Sequence, residues 1–112
     1  VFRRTEALHE LFVAADTQIL KQLRQHYGQV PILCVYSCTI PAPVYDYFEA
    51  VLTEMNDKDI HLLKITEDLF NAETDYGAVW HPNYSGQRKM AMEIIPMVST
   101  LTGWKLSGKA VE

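Results

Sequence analysis

The chain has 112 residues, which is enough for one ordinary domain and too few for two. Hydrophobic residues make up 48% and charged residues 21%, a composition typical of globular proteins and unlike that of disordered ones. The formal net charge of -4 has interspersed signs with no basic patch, and no apolar run approaches the roughly 18 residues that span a bilayer. We therefore expect neither nucleic acid nor membrane as a partner.

The first predicted element is a helix over residues 6–27. Thr5 is its expected N-cap, and Gly28 is expected to end it. His9 and His26 are interpreted as surface or half-buried side chains rather than as ligands. The face predicted to be buried has apolar residues at spacings of three and four: Leu8, Leu11, Phe12, Ala15, Ile19, Leu20 and Leu23.

A strand, a helix and a second strand follow. Residues 32–36 form a continuous apolar run, typical of a strand covered on both faces in a parallel sheet. Pro43 is expected at the first position of the next helix, and Asn56 with Asp57 ends it. Residues 60–65 form the second strand, so the crossover should be right-handed. The predicted buried face of the helix is Val44, Tyr47, Phe48, Val51, Leu52 and Met55.

Two cysteines, Cys34 and Cys38, are four positions apart. In an extended strand their separation would be about 13 Å, beyond the reach of a disulfide. Buried free thiols are therefore favoured, and a disulfide would require the strand to end between them. The spacing is a weak metal signal because no His or Cys partner lies nearby. His61, within the second strand, is interpreted as a packed or edge-facing residue.

Residues 66–82 form an unusually long connection between the second strand and the last helix. Connections beyond about 12–15 residues are uncommon and often functional. This one leaves the C-terminal end of a strand, where sites form in open α/β sheets. The last helix should start near residues 83–85, bend at Pro96 and bury Met90, Ala91, Ile94, Met97, Val98 and Leu101. Residues 105–112 lack periodicity and are predicted to be a flexible tail.

The order of predicted elements indicates an α/β fold. Two strands make a poor sheet for an opening helix with so marked an apolar face, so further strands are expected before Val1. The chain has no initiator Met and no signal-peptide pattern, and is expected to be processed or a piece of a longer protein.

A resemblance to a known family is carried by residues 77–91, which read GAVWHPNYSGQRKMA. This run resembles the last conserved block of the SGNH (GDSL-like) hydrolases. It is most similar to the acetyl esterases of carbohydrate esterase family two, in which a Gly-x-Asp-Trp-His-Pro segment precedes a helix. The predicted elements follow that family's order over residues 5–104. The resemblance implies that residues 1–104 are the C-terminal part of a three-layer α/β/α flavodoxin-like domain. The N-terminal half of that domain is missing from this chain and is implied as its partner.

Residue roles also follow from the resemblance. His81 matches the catalytic base, which deprotonates a serine hydroxyl and later protonates the leaving alcohol. Trp80 matches a residue beside the base that lines a sugar-binding cleft. Apart from the resemblance, Tyr76 and Tyr84 flank the histidine, so a substrate-lining role is expected for Tyr84, with packing as the alternative for both. The nucleophilic Ser, and the Gly and Asn of the oxyanion hole, match nothing in these 112 residues. The family implies an acetylated polysaccharide or oligosaccharide as substrate, no metal or organic cofactor, and a secreted or periplasmic location.

The chain departs from the family pattern at the group that orients the histidine. The family commonly has an acid two or three residues earlier, where this chain has Val79 and Ala78. Neither side chain accepts a hydrogen bond. A backbone carbonyl is the favoured substitute, and Asp75 or Glu73 is the alternative if the loop folds back.

Two other functional hypotheses stay open. A non-catalytic α/β module could bind a sugar or a partner through Trp80 and Tyr84, because a degenerate relative would also lack the acid and the serine. A metal site on His81 with Asp75 or Glu73 is least favoured, because only one good ligand is present. Residue types alone favour His81 as a residue that packs beside a helix. The fifteen-residue match and the long loop favour a catalytic role.

Overall fold

The computed structural model describes residues 2–107, with side chains from residue 6 onward. The predicted order of helices and strands is confirmed. The strands pair in a two-stranded parallel sheet, which gives the chain a mixed α/β structure. The elements are α1 (Phe2–Tyr27), β1 (Ile32–Tyr36), α2 (Ala42–Met55), β2 (Ile60–Lys64) and α3 (Tyr84–Thr102).

Hydrogen bonds at both ends of the strands set the register of the sheet. The Ile32 amide donates to the Asp59 carbonyl at 2.9 Å, and the Ile65 amide donates to the Tyr36 carbonyl at 2.8 Å. Ile65 and Tyr36 are buried. Because the strands are parallel, the chain leaves both of them at the same edge of the sheet.

The described residues divide into two compact units, one of residues 2–32 with Pro41–His61 and one of Leu33–Ile40 with residues 62–107. In the first unit α1 packs on α2. The Phe12 ring lies 5.3 Å from the Tyr47 ring and 5.6 Å from the Phe48 ring. Val51 is buried and the rest of the predicted α2 face is half-buried, so that prediction is confirmed.

The prediction for α1 is wrong in two respects. The helix begins at Phe2, so Thr5 lies inside it and is not its N-cap. The predicted apolar face is largely exposed, with exposed fractions of 56% for Leu8, 67% for Leu11 and 53% for Ile19. Ala15 and Leu23 are exposed as well. Of the predicted face, Leu20 is buried and Phe12 is half-buried against α2, and Thr17, which was not predicted, is buried as well. The contact with α2 therefore covers only part of the predicted face.

The other helix ends agree closely with expectation. Pro41 is the N-cap of α2, which begins one residue before the predicted Pro43. Asn56 ends α2 in the left-handed conformation, with its amide bonded to the Leu52 carbonyl. Arg24 joins the end of α1 to Asp57, with 2.6 Å between Nε and Oδ2.

In the second unit, Asn83 caps α3, which begins at Tyr84 as predicted and contains Pro96. All six side chains predicted for its packed face are half-buried. The long connection before α3 is not structureless: it contains 3₁₀ turns at Glu67–Leu69 and Ala78–Trp80. Residues 105–107 lie outside the helix, and residues 108–112 of the predicted tail lie outside the described residues.

Cys34 and Cys38 are half-buried and form no disulfide, which confirms that thiols were the right alternative. Between residues 2 and 107, no helix has both the length and the apolar character needed to cross a membrane.

Candidate functional site

His81 lies on a closed backbone loop, residues 75–83, which we name the histidine hairpin. Tyr76 and Pro82 form an antiparallel bridge across it. The Gly77 amide donates to the His81 carbonyl at 2.7 Å, and the Asn83 amide donates to the Asp75 carbonyl at 2.8 Å. These bonds give the histidine a defined backbone position although it lies between regular elements.

The turn of the histidine hairpin contains two strained residues. Val79 has φ 54° and Trp80 has φ 57°, in the left-handed region that β-branched and bulky residues rarely adopt. Such conformations cost on the order of 1–3 kcal/mol each, and persist only where the surrounding structure imposes them. Their side chains are 84% and 70% exposed, so burial of these two side chains does not explain the strain.

A cavity of about 680 Å³ lies beside the histidine hairpin. Cys38 and Thr39 follow β1, and Glu67 follows β2, so the cavity lies at the edge of the sheet where both strands end. Its volume is within the range of roughly 300–1,000 Å³ that is usual for small-molecule sites. The lining residues are Cys38, Thr39, Glu67, Phe70, Ala72, Tyr76, Val79, Trp80 and His81.

Three aromatic rings form one wall of this cavity, which we name the aromatic wall (Phe70, Tyr76 and Trp80). The Phe70 and Tyr76 rings are 5.5 Å apart, and the Tyr76 and Trp80 rings are 5.6 Å apart at an interplanar angle of 73°. Phe70 is buried and Trp80 is exposed, so the wall runs from the interior to the solvent. Burial raises the pKa of Tyr76 above its usual value, with contributions from Cys38 and Glu67. Its hydroxyl therefore stays protonated at neutral pH.

The His81 side chain is exposed and lines the cavity. Among residues 6–107, its ring has no hydrogen-bonding partner, so both ring nitrogens are open to a bound molecule or to solvent. Trp80 also lines the cavity. Tyr84, the first residue of α3, is 68% exposed and is not a lining residue.

Asp75 is fully buried, and its carboxylate contacts residues other than His81. It accepts hydrogen bonds from the Asn71 amide at 2.6 Å and the Ser85 hydroxyl at 2.7 Å, and lies 2.5 Å from the Lys89 ammonium. Lys89 above all, then the Asn71 and Ser85 bonds, hold the pKa of Asp75 well below its usual value. Direct orientation of the His81 ring by Asp75 therefore has no support in these contacts. Glu73 is exposed, and no contact joins its side chain to the ring among the described residues.

Several residues of the site were missed by the sequence analysis. Cys38 was considered only as a disulfide or metal candidate, and Glu67 and Phe70 drew no attention within the long connection. Lys89 was noted only as part of the family-like run. Its spacing of 14 residues from Asp75 carries no local signal. The position of Cys38 and Glu67 just after predicted strands could have suggested them, since α/β sites form at strand ends.

Metal ligation was tested on the part of the chain that the structure describes. There, no group of three or more His, Cys, Asp or Glu side chains is arranged to hold a metal ion. Comparisons of the chain with protein-family models, with curated proteins and with solved structures found no match.

Proposed function

We propose that this chain is the C-terminal part of a serine esterase that removes acetyl groups from an acetylated polysaccharide or oligosaccharide. His81 is the general base, and the nucleophilic serine is supplied by residues outside these 112. In this proposal the whole domain has the three-layer α/β/α architecture of the SGNH hydrolases. No metal or organic cofactor takes part.

One observation carries the proposal: His81 is an exposed imidazole, presented by a closed hairpin at a cavity where two parallel strands end. A general base must be open to the proton that it removes, and its position must be set by the backbone. A histidine that only packs beside a helix would be covered. The run of residues 77–91 that resembles the family block supplies the second support.

The chemistry takes two steps. His81 removes the proton of the serine hydroxyl while its oxygen attacks the acetyl carbonyl carbon, and the tetrahedral intermediate collapses as the sugar oxygen leaves with that proton. A water molecule then attacks the acetyl-serine, with His81 again accepting and returning a proton, and acetate is released. Both half-reactions need a neutral imidazole at the start, because only the unprotonated ring nitrogen can accept the proton.

The cavity lining favours an uncharged substrate. Glu67 is the one acidic lining residue, and no lysine or arginine lines the cavity within the described chain. Trp80, on the aromatic wall, lines the cavity, and an aromatic ring can stack on an apolar surface such as the C–H face of a sugar ring. A neutral acetylated sugar suits this lining better than a phosphate or a uronate.

The exposed face of α1 supports the proposal of a missing half-domain. Leu8, Leu11 and Ile19 are each more than half exposed. In a three-layer domain a helix of this kind lies on a sheet, and the two described strands are too few to cover such a face. The remaining strands, in this proposal, come from the same residues that supply the serine.

The proposal is tested by replacing His81 with Ala in the complete enzyme. General acid–base catalysis contributes roughly 10²–10⁴ in rate, so kcat for an acetylated xylo-oligosaccharide should fall by at least about 10². His26→Ala is the matched control, because His26 is exposed on α1 and outside the cavity, and it should leave kcat unchanged. The 112-residue chain by itself should show no serine-dependent turnover of an activated acetyl ester. Retention of a tenth of the activity by the His81 variant would overturn the assignment.

A second candidate function is sugar binding without catalysis. It is favoured by the exposed Trp80 on the aromatic wall, together with a His81 ring that no described residue orients. Titration of acetylated and deacetylated oligosaccharides onto the 112-residue chain, followed by chemical shifts of the Trp80 indole, separates the two functions. A binding module should bind both ligands and be complete without a reactive serine in the parent protein.

A further inference from the structure

We propose that the Asp75–Lys89 ion pair is a clamp that fastens the histidine hairpin to the first turns of α3 and thereby sets the positions of His81 and Trp80. Asp75 and Lys89 are positioning residues in this inference, since neither lines the cavity. The use of the clamp in catalysis rests on the proposed function. Its effect on the hairpin does not, and it is measured without any substrate.

The Asp75 carboxylate connects three segments of the chain. Its Oδ2 atom accepts from the Asn71 amide at 2.6 Å and contacts Lys89 Nζ at 2.5 Å, and its Oδ1 atom accepts from the Ser85 hydroxyl at 2.7 Å. The backbone of Asp75 is engaged as well, because its carbonyl accepts from the Asn83 amide. The first residue of the hairpin is thus held by both its side chain and its main chain.

The burial of Asp75 makes its contact with Lys89 important for the hairpin. Asp75 is completely inaccessible to solvent, whereas the Lys89 side chain is 41% exposed. A buried carboxylate that loses its cation is strongly unfavourable, since water cannot replace the lost partner. Without Lys89, we therefore expect the hairpin to open so that water hydrates the Asp75 carboxylate.

A glycine allows the hairpin to lie directly on α3. A Cβ atom at Gly86 would be 2.5 Å from the Asp75 carbonyl oxygen and 2.8 Å from Pro82 Cβ, which is too close for any side chain. The Asn83 side chain adds three bonds here: Oδ1 accepts from the Gly86 amide, and Nδ2 donates to the Thr74 carbonyl at 2.8 Å and to the Tyr76 carbonyl at 3.4 Å. Because the contact is this close, loss of the clamp should shift both ends of the hairpin.

The strained turn makes the hairpin depend on its fastened ends. Val79 and Trp80 are in the left-handed region, and their exposed side chains do not hold them there. A strained turn relaxes when its ends are released. We therefore expect loss of the clamp to loosen the turn, and with it the positions of the His81 ring and Trp80.

The test measures hydrogen exchange of the Gly77 and Asn83 amides by NMR in the full 112-residue chain, because both amides donate across the hairpin, Asn83 at its base and Gly77 nearer the turn. In Asp75→Asn and in Lys89→Met these amides should exchange at least about tenfold faster, beyond any change in global unfolding measured on β1 amides. The His81 and Trp80 ring signals should sharpen as the rings become mobile. Lys89→Arg keeps the cation and should restore exchange to within about threefold of the parent rate.

Asp57→Asn is the matched control, because it breaks a comparable ion pair with Arg24 in the other compact unit. It should change global stability and leave the local opening of the hairpin as in the parent chain. Should Asp75→Asn fail to fold, Lys89→Met decides, since it replaces a partly exposed side chain. Parent-like exchange of both amides in the folded Lys89→Met chain would overturn the clamp.

The two proposals fail separately. Fast hairpin exchange in Lys89→Met, together with full activity of His81→Ala in the complete enzyme, would leave the clamp standing and remove the esterase. Parent-like exchange together with an inactive His81→Ala enzyme would remove the clamp and leave the esterase.

Discussion

The exposed position of His81 depends on the backbone of the two residues before it. Val79 and Trp80 turn the chain through the left-handed region, and the His81 carbonyl then returns to the Gly77 amide at 2.7 Å. The side chains of this turn point to solvent or to the cavity rather than into a core. A site built on so short a loop needs its rigidity from backbone bonds and from the residues that fasten its ends.

The strain at Val79 can be measured directly by replacing it with Gly. Gly adopts a φ of 54° without steric cost, so the relief of strain should exceed the added entropy of the unfolded chain. We expect Val79→Gly to raise the free energy of unfolding by about 1 kcal/mol, measured by urea denaturation.

The matched control is Val30→Gly, at an exposed valine that is not in the left-handed region. There the same substitution has no strain to relieve, and should lower the free energy of unfolding by about 0.5–1 kcal/mol. A loss of stability in both variants would contradict the strain assigned to Val79.

Helix α1 was correctly predicted to be a helix, but the prediction of which of its side chains are buried was largely wrong. Its periodicity is that of an amphipathic helix, yet the side in contact with α2 carries Phe12 and Leu20 rather than the full predicted face. A periodic pattern locates an apolar face but does not say which partner covers it. Leu8, Leu11 and Ile19 remain on the exposed side.

Two substitutions in α1 test this orientation. Leu11→Gln, on the exposed side, should change the free energy of unfolding by no more than about 0.5 kcal/mol. Leu20→Ala, at a residue that is 7% exposed, should lower it by about 2–4 kcal/mol because it removes buried methyl groups and leaves a cavity. Urea denaturation of the 112-residue chain measures both. A large loss in Leu11→Gln would mean that this face is covered in solution.

At the scale of the whole molecule, each compact unit contains a buried or half-buried carboxylate paired with an arginine or a lysine. Asp57 is paired with Arg24 in one unit, and Asp75 with Lys89 in the other. Hydrogen bonds from Arg24 and the Asp59 amide lower the pKa of Asp57, and those from Lys89, Asn71 and Ser85 lower that of Asp75. In both units, protonation of this carboxylate in acid should therefore weaken the fold.

The stability of the chain should therefore fall in acid. A carboxylate whose pKa is lower in the folded than in the unfolded chain stabilises the fold above its unfolded value, here 3.8, and this is lost as pH falls toward the folded pKa. The other ionisable groups facing these carboxylates are Tyr76 near Asp75, and His61 near Asp57.

We expect urea midpoints to decline below about pH 4 and to decline less steeply in Asp57→Asn and Asp75→Asn, which lack one of the titrating groups. Parallel curves for the parent and variant chains between pH 5 and pH 2.5 would contradict the linkage. Asp16 acts in the opposite sense, because burial raises its pKa.

The amino-acid sequence alone determined most of the local structure. The apolar runs of β1 and β2, the start of α3 near Asn83 and the end of α2 at Asn56 follow from interactions within a few residues of each other, so local patterns predict them. His81 and Trp80 were also selected from sequence, through the family-like run around them, and both line the cavity.

Only the tertiary structure decided which side of α1 is covered, which residues share a cavity with His81, and what Asp75 does. The Asp75–Lys89 pair joins residues that are 14 positions apart in the chain. Cys38 lines the same cavity as Glu67 and Tyr76, although the three residues belong to different segments. Such contacts depend on how separate elements pack and where their ends meet. Residue spacing does not predict that packing. The patterns it reveals reflect hydrogen bonds within helices and turns, which extend over only a few residues.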